Sequence, residues 1–175
     1  KTEKYDTLLA ELKCFRPDYR ICSLGVNHVN ILLVGRIGAG KSSLICTIHS
    51  VFEGTTNITI APFGPSSTSF TQIFRKIPSK FNSHIWFYDI YGMEGDNLKN
   101  VLEPLLMGRL REGHKKGDPV NGDLDPPSLL EQVHVVMLVV EQQTLSQDSE
   151  VDNLLKLLNQ IRGYGTYINL KIFIK

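Results

Sequence analysis

Residues 29–42 read VNILLVGRIGAGKS, an apolar run followed at once by a glycine-rich turn that ends in Lys-Ser. A short, nearly continuous apolar run suits a strand buried on both faces of a parallel sheet. The next eight residues, Gly35, Arg36, Ile37, Gly38, Ala39, Gly40, Lys41 and Ser42, match the phosphate-loop pattern G-x-x-x-x-G-K-[ST]. Glycines let backbone N–H groups curl around an anion, and the helix expected over about residues 41–51 aims its positive end at the same place. A lysine at a helix start gains nothing from the dipole, so an anion is its economical partner. Lys41 is expected to reach the β- and γ-phosphates of a nucleotide and Ser42 to ligate Mg²⁺, with Ser43 completing the phosphate-binding set. The plain alternative is a glycine turn that binds nothing; the strand before it and the helix after it weigh against that.

Further on, residues 85–92 read IWFYDIYG, which puts Asp89 at the end of an aromatic strand and Gly92 three positions later. In a phosphate-loop fold such an Asp holds Mg²⁺, usually through water, and the Gly92 N–H contacts the γ-phosphate. Many ATPases of this class place a Glu directly after the Asp; Ile90 stands there, which tilts the reading towards GTP and GDP. Thr68 is expected to close over the ion, with Thr55, Thr56 and Thr71 as alternatives, so the expected metal set is Ser42, Thr68 and Asp89. Two positions argue for slow or absent hydrolysis. Met93 stands where Ras-like enzymes orient water with Gln, and the branched Ile37 crowds a place usually held by Gly. The guanine-reading [NT]-K-x-D pattern is expected after the strand that begins near Ile168, where the chain stops at Lys175.

The rest of the chain alternates strands and helices. Leucines at helical spacing suggest a leading helix near residues 4–13, ended by Pro17 and Asp18. Residues 70–77 read as an edge strand, residues 97–110 as a helix, and residues 113–127 as a mobile surface loop of turn chemistry. Residues 133–140 form a second buried strand. Val151, Leu154, Leu155, Leu158 and Ile161 then mark a helix face, with Ser149 and Asp152 spaced as a capping box. The expected fold is therefore α/β, a three-layer phosphate-loop NTPase of the Ras-like type. Its sheet is mostly parallel with one antiparallel edge strand and is C-terminally incomplete. Residues 1–24 are expected to be a leading helix and linker, and residues 25–175 the GTPase-like domain, truncated before its last strand and helix.

Composition narrows the function classes. Hydrophobic residues make up 42% and charged residues 21%, and the net charge is +1, which gives no footprint for nucleic acid. Arg109, Arg111, Lys115 and Lys116 read as a solvated helix end and loop. Three cysteines without C-x-x-C spacing argue against disulfides and zinc and favour a reducing compartment. The five histidines are scattered, with surface or strand-end placement expected. Asp118, Asn121, Asp123 and Asp125 read as turn residues, Trp86 as core. No apolar run is long enough to span a bilayer.

The stretch ILLVGRIGAGKSS, the later Ser50-Val51-Phe52 and Pro127-Ser128-Leu129 resemble the interferon-induced protein 44 family. That resemblance implies a GTPase-like fold, a cytoplasmic location, an association with interferon responses, and a TLDc-like domain ahead of this one in full-length members. Three functions are compatible with the residues. The first is a guanine-nucleotide switch or slow GTPase, self-associating across its nucleotide face. The second is a pseudo-GTPase scaffold without nucleotide. The third is a small-molecule kinase, which generally needs a lid with catalytic arginines that residues 113–127 lack.

Overall fold

The computed structural model describes residues 2–56, 71–92, 97–120, 129–164 and 169–174. In chain order its elements are α1 (Thr2–Cys14), α2 (Tyr19–Cys22), β1 (Val29–Val34), α3 (Lys41–Glu53), β2 (Arg75–Pro78) and β3 (Ile85–Asp89). They continue with α4 (Asn97–Leu106), β4 (Val135–Val140), α5 (Asp148–Gly163) and β5 (Asn169–Ile174). The five strands form one sheet in the order β2-β3-β1-β4-β5. β1 runs parallel to β3 and β4, and β4 to β5, while β2 is the antiparallel edge. The protein is thus α/β with a mixed, mostly parallel sheet.

Both faces of β1 are packed, as its unbroken apolar run requires. Leu32 and Val34 join Tyr88, Val136 and Leu138 against Val101, Leu102 and Leu105 of α4 and Leu157, Leu158 and Ile161 of α5. Leu33 joins Phe87 and Val139 against Ile45 and Cys46 of α3 on the other face. Each fully buried aliphatic side chain contributes roughly 1.5–3 kcal/mol, so the two faces together hold the layers. Among the described residues no helix is long and apolar enough to cross a membrane.

Several expectations need correcting. The pairing of β2 with β3 starts only at Arg75, and Phe70 lies outside the described residues. α4 stops at Leu106 rather than Leu110 because Gly108 turns at φ +70°. The N-cap of α5 is Gln147, with no side-chain cap, so Ser149 and Asp152 sit inside the helix and form no capping box. On that helix Leu157 is buried while Leu155 is 51% exposed. Trp86 is only partly buried; it stacks on His28 at 4.6 Å. His49 is not at the surface but fully buried in α3, edge-on to Phe81 and Phe87.

The expected mobile loop is also corrected in its first part. Phe74 N–H donates to His114 O, Gly113 N–H to Phe74 O and Lys116 N–H to Gln72 O, all at 2.8–2.9 Å. An antiparallel bridge joins Ile73 and Lys115. Turn-forming glycines therefore do not leave this stretch unpaired; its backbone groups find partners on the chain ahead of β2. Residues 121–128, with Asn121, Asp123 and Asp125, lie outside the described residues.

Two polar junctions hold the end of the sheet away from the glycine loop. Asn30 donates its side-chain amide to Leu130 O at 2.6 Å and Gln132 O at 2.7 Å, and its backbone N–H to His134 Nδ1 at 3.0 Å. Asn82, in the turn between β2 and β3, donates to Leu12 O and Phe15 O at 2.9 Å, capping the carbonyl end of α1.

Candidate functional site

The site forms where β1 ends and the chain must turn sharply into α3. Gly38 and Gly40 take φ of +81° and +91°, a region that side chains with a Cβ rarely enter. Gly35 runs so close to β4 that a Cβ would meet the Val139 carbonyl oxygen, which fixes the loop over the ends of β1 and β4. α3 has Gly40 at its N-cap, with no side-chain cap hydrogen bond and no acidic residue in its first turn. Its N-terminal N–H groups and positive dipole end are not answered by a carboxylate from that turn. The loop shape expected from its glycines is present.

Lys41 is buried at the base of the loop, its Nζ 3.0 Å from both Gly35 O and Arg36 O. The ammonium is thus folded back along the loop in which it resides. Ser42 donates its hydroxyl to Asp89 Oδ2 at 2.8 Å and lies 3.1 Å from Thr71 Oγ1, which itself is 3.5 Å from Asp89 Oδ2. Asp89 is fully buried, and its Oδ1 has no hydrogen-bond partner among the described residues. Burial pushes the Asp89 carboxyl above its usual range; the Ser42 hydrogen bond and the Lys41 charge pull the other way without cancelling it. A buried carboxylate with a bare oxygen beside two hydroxyls is a donor set that suits a hard divalent cation. Ser42, Thr71 and Asp89 would hold Mg²⁺ here, and the ion would offset the anionic charge of a phosphate.

Gly92 closes the far side. A Cβ there would run into the Ile37 side chain and lie 2.5 Å from its backbone nitrogen, so the D-x-x-G glycine passes directly against the loop. Ile37 thus lies directly against Gly92. Thr68 and Met93 lie outside the described residues. Of the other threonines considered, Thr71 is the one that reaches Ser42 and Asp89. The register that pairs Arg75 with Asp89 brings the segment ahead of β2 to the strand end, and that register was not readable beforehand.

Two features were not anticipated. Arg36 forms an ion pair with Glu150 in the first turn of α5 at 2.9 Å, fastening the loop to that helix. A pocket of about 180 Å³ lies beside the loop, between Arg36, Ile37 and Ala39 and the β4 exit at Val140, Glu141 and Thr144. It sits at the crevice between β1 and β4 where the strand order reverses, the usual ligand position in open α/β sheets. Strand order alone would have pointed to it.

An α/β domain with a glycine loop at its strand switch point is the class that fold and site define. No protein family profile matches the chain. It is 27% identical over 157 residues to interferon-induced protein 44-like of Homo sapiens, covering 79% of this chain and 33% of that protein. It is also 27% identical over 153 residues to interferon-induced protein 44 of Pan troglodytes and of Homo sapiens, with the same coverage. These similarities bear out the resemblance to the interferon-induced protein 44 family. The chain spans about one third of the length of the curated relatives it matches.

Proposed function

We propose that this chain is the nucleotide-binding part of a GTPase-like protein of the phosphate-loop class, binding GTP or GDP with Mg²⁺ and hydrolysing slowly or not at all. The observation that carries the reading is the buried Ser42–Asp89 junction, with Asp89 Oδ1 unpartnered, directly under a glycine loop whose helix start is uncapped. Lys41 would exchange its loop carbonyls for phosphate oxygens, and Gly92 would report the γ-phosphate beside Ile37. The names of the relatives support an interferon-related role; an innate antiviral function and a cytoplasmic location are part of the proposal. Self-association through the nucleotide face belongs to the same proposal.

The test is binding of a fluorescent guanine nucleotide with Mg²⁺, competed by GTP, GDP and ATP, on wild type and Lys41→Ala. Displacement by GTP and GDP but not ATP, lost in Lys41→Ala, is the expected result. A folded wild type that binds none of them sinks the reading. Single-turnover GTP hydrolysis at the rate of a stimulated small GTPase would overturn the slow-hydrolysis part.

A second reading, a scaffold without nucleotide, is favoured by one observation: the Lys41 ammonium is already engaged by Gly35 O and Arg36 O. It predicts the same melting temperature with and without MgGTP. A binder gains about 2.7 kcal/mol at a hundredfold excess over Kd.

A further inference from the structure

Residues 111–118 are remote in sequence from the glycine loop, yet they touch both segments that flank it. On one side lies the backbone ladder to Gln72 and Phe74, immediately after Thr71. On the other lies the His114 ring, with Nδ1 3.3 Å from the Tyr91 hydroxyl and its plane 29° from that of Tyr91. Tyr91 is 2% exposed and directly precedes Gly92. The contacts close a ring: from Ile37 to Gly92 and Tyr91, through His114 to Phe74, and back by Thr71 to Ser42.

We infer that His114 is a positioning residue that couples the Thr71 segment to Tyr91–Gly92, making residues 111–118 the element through which occupancy of the glycine loop reaches the surface. This rests on the nucleotide reading above. The segment 71–74 precedes the pairing of β2 with β3 and is joined to residues 113–116 by the ladder. Coupling between sites needs an element with two arrangements, and the coupling inferred here works through a laddered and a frayed form of this one. A ligand that moves Gly92 moves Tyr91, and Tyr91 pulls on the same residue whose carbonyl holds Phe74. Arg111, Glu112 and Lys115 are exposed, so the change of state alters a charged outer surface.

Backbone amide hydrogen exchange at Phe74, Gly113 and Lys116 tests this in wild type, Tyr91→Phe and His114→Asn, each with and without MgGTP. Tyr91→Phe keeps the ring and removes only the hydroxyl; melting curves confirm that each variant is folded. Without nucleotide, exchange at the three amides is expected to be about tenfold faster in Tyr91→Phe. It should stay near wild type in His114→Asn, whose amide can take the Nδ1 place. MgGTP is expected to slow all three amides in wild type and less so in Tyr91→Phe. Unchanged exchange in a folded Tyr91→Phe overturns the inference, as does a wild type that binds MgGTP without slowing them. A wild type that does not bind MgGTP overturns the nucleotide reading instead, and the nucleotide-free comparison still decides whether His114 links the two segments.

Discussion

Ser42 donates its hydroxyl to Oδ2 of Asp89 at 2.8 Å, joining the first turn of α3 to the end of β3 through one buried hydrogen bond. The bond belongs to the resting stability of the protein as well as to its site. Ser42→Ala leaves the buried carboxylate with the longer Thr71 contact. Losing a hydrogen bond to a charged group costs about 1.5–3 kcal/mol. Thermal melting should show a clear drop, and any Mg²⁺-dependent gain from added nucleotide should vanish with it. An unchanged melting temperature would contradict the structural half of this expectation.

Gly92→Ala is expected to destabilise by about 1–3 kcal/mol, the usual range for overpacking. The added Cβ meets the nitrogen and Cα of Ile37 as well as its side chain. Ile37→Gly should therefore fail to rescue it, because the backbone obstruction remains. Denaturant melts of the single and double variants distinguish the two cases; full rescue would show that the clash is with the side chain alone.

Stability should fall on acidification through the histidines at the sheet end away from the glycine loop. His134 Nδ1 accepts the Asn30 N–H and its Nε2 faces Leu129 O at 3.1 Å, so the ring is held neutral with its proton on Nε2. Burial lowers the His134 and His28 affinities for a proton below the usual 6.5. The unfolded chain takes up those protons first. Their contribution is thus complete above about pH 6.5 and lost as pH falls through the folded-state values. From pH 8 to pH 5 the melting temperature should fall further in wild type than in His134→Gln, the raised Asp89 carboxyl acting in the opposite sense in both; equal slopes would rule out His134 as a source.

Asn82→Ala should free α1 without unfolding the sheet. The cap is a single side chain on the carbonyl end of α1, and Leu8 and Leu12 remain 48% and 45% exposed. Each such hydrogen bond contributes about 0.5–1.5 kcal/mol. The readout is faster amide exchange or proteolysis within residues 2–16, with β1 and β3 protected as before. Equal protection of α1 in the variant would assign its docking to other contacts.

The glycine loop and its flanks were legible because each requirement leaves a mark in residue type: an apolar run, glycines at fixed spacing, then Lys41 and Ser42. Asp89 at a strand end was legible for the same reason. That Thr71 reaches Ser42 and Asp89 was not, since it turns on pairing register rather than on residue type. Leucines at 154, 155, 157 and 158 offer two overlapping faces, and only the packing partners select Leu157 over Leu155. The ladder at residues 113–116 is made of backbone groups, which every residue but proline carries, so turn-rich composition concealed it.

That ladder has a consequence for assembly. The outward-facing amides of Phe74 and Lys76 are taken by His114 O and Glu112 Oε1, and the Gln72 and Phe74 carbonyls by Lys116 and Gly113. An open sheet margin is a template for strand addition and aggregation. Here the chain supplies its own blocking piece over residues 72–76, so a second molecule cannot extend the sheet past β2 along that stretch without first displacing residues 112–116.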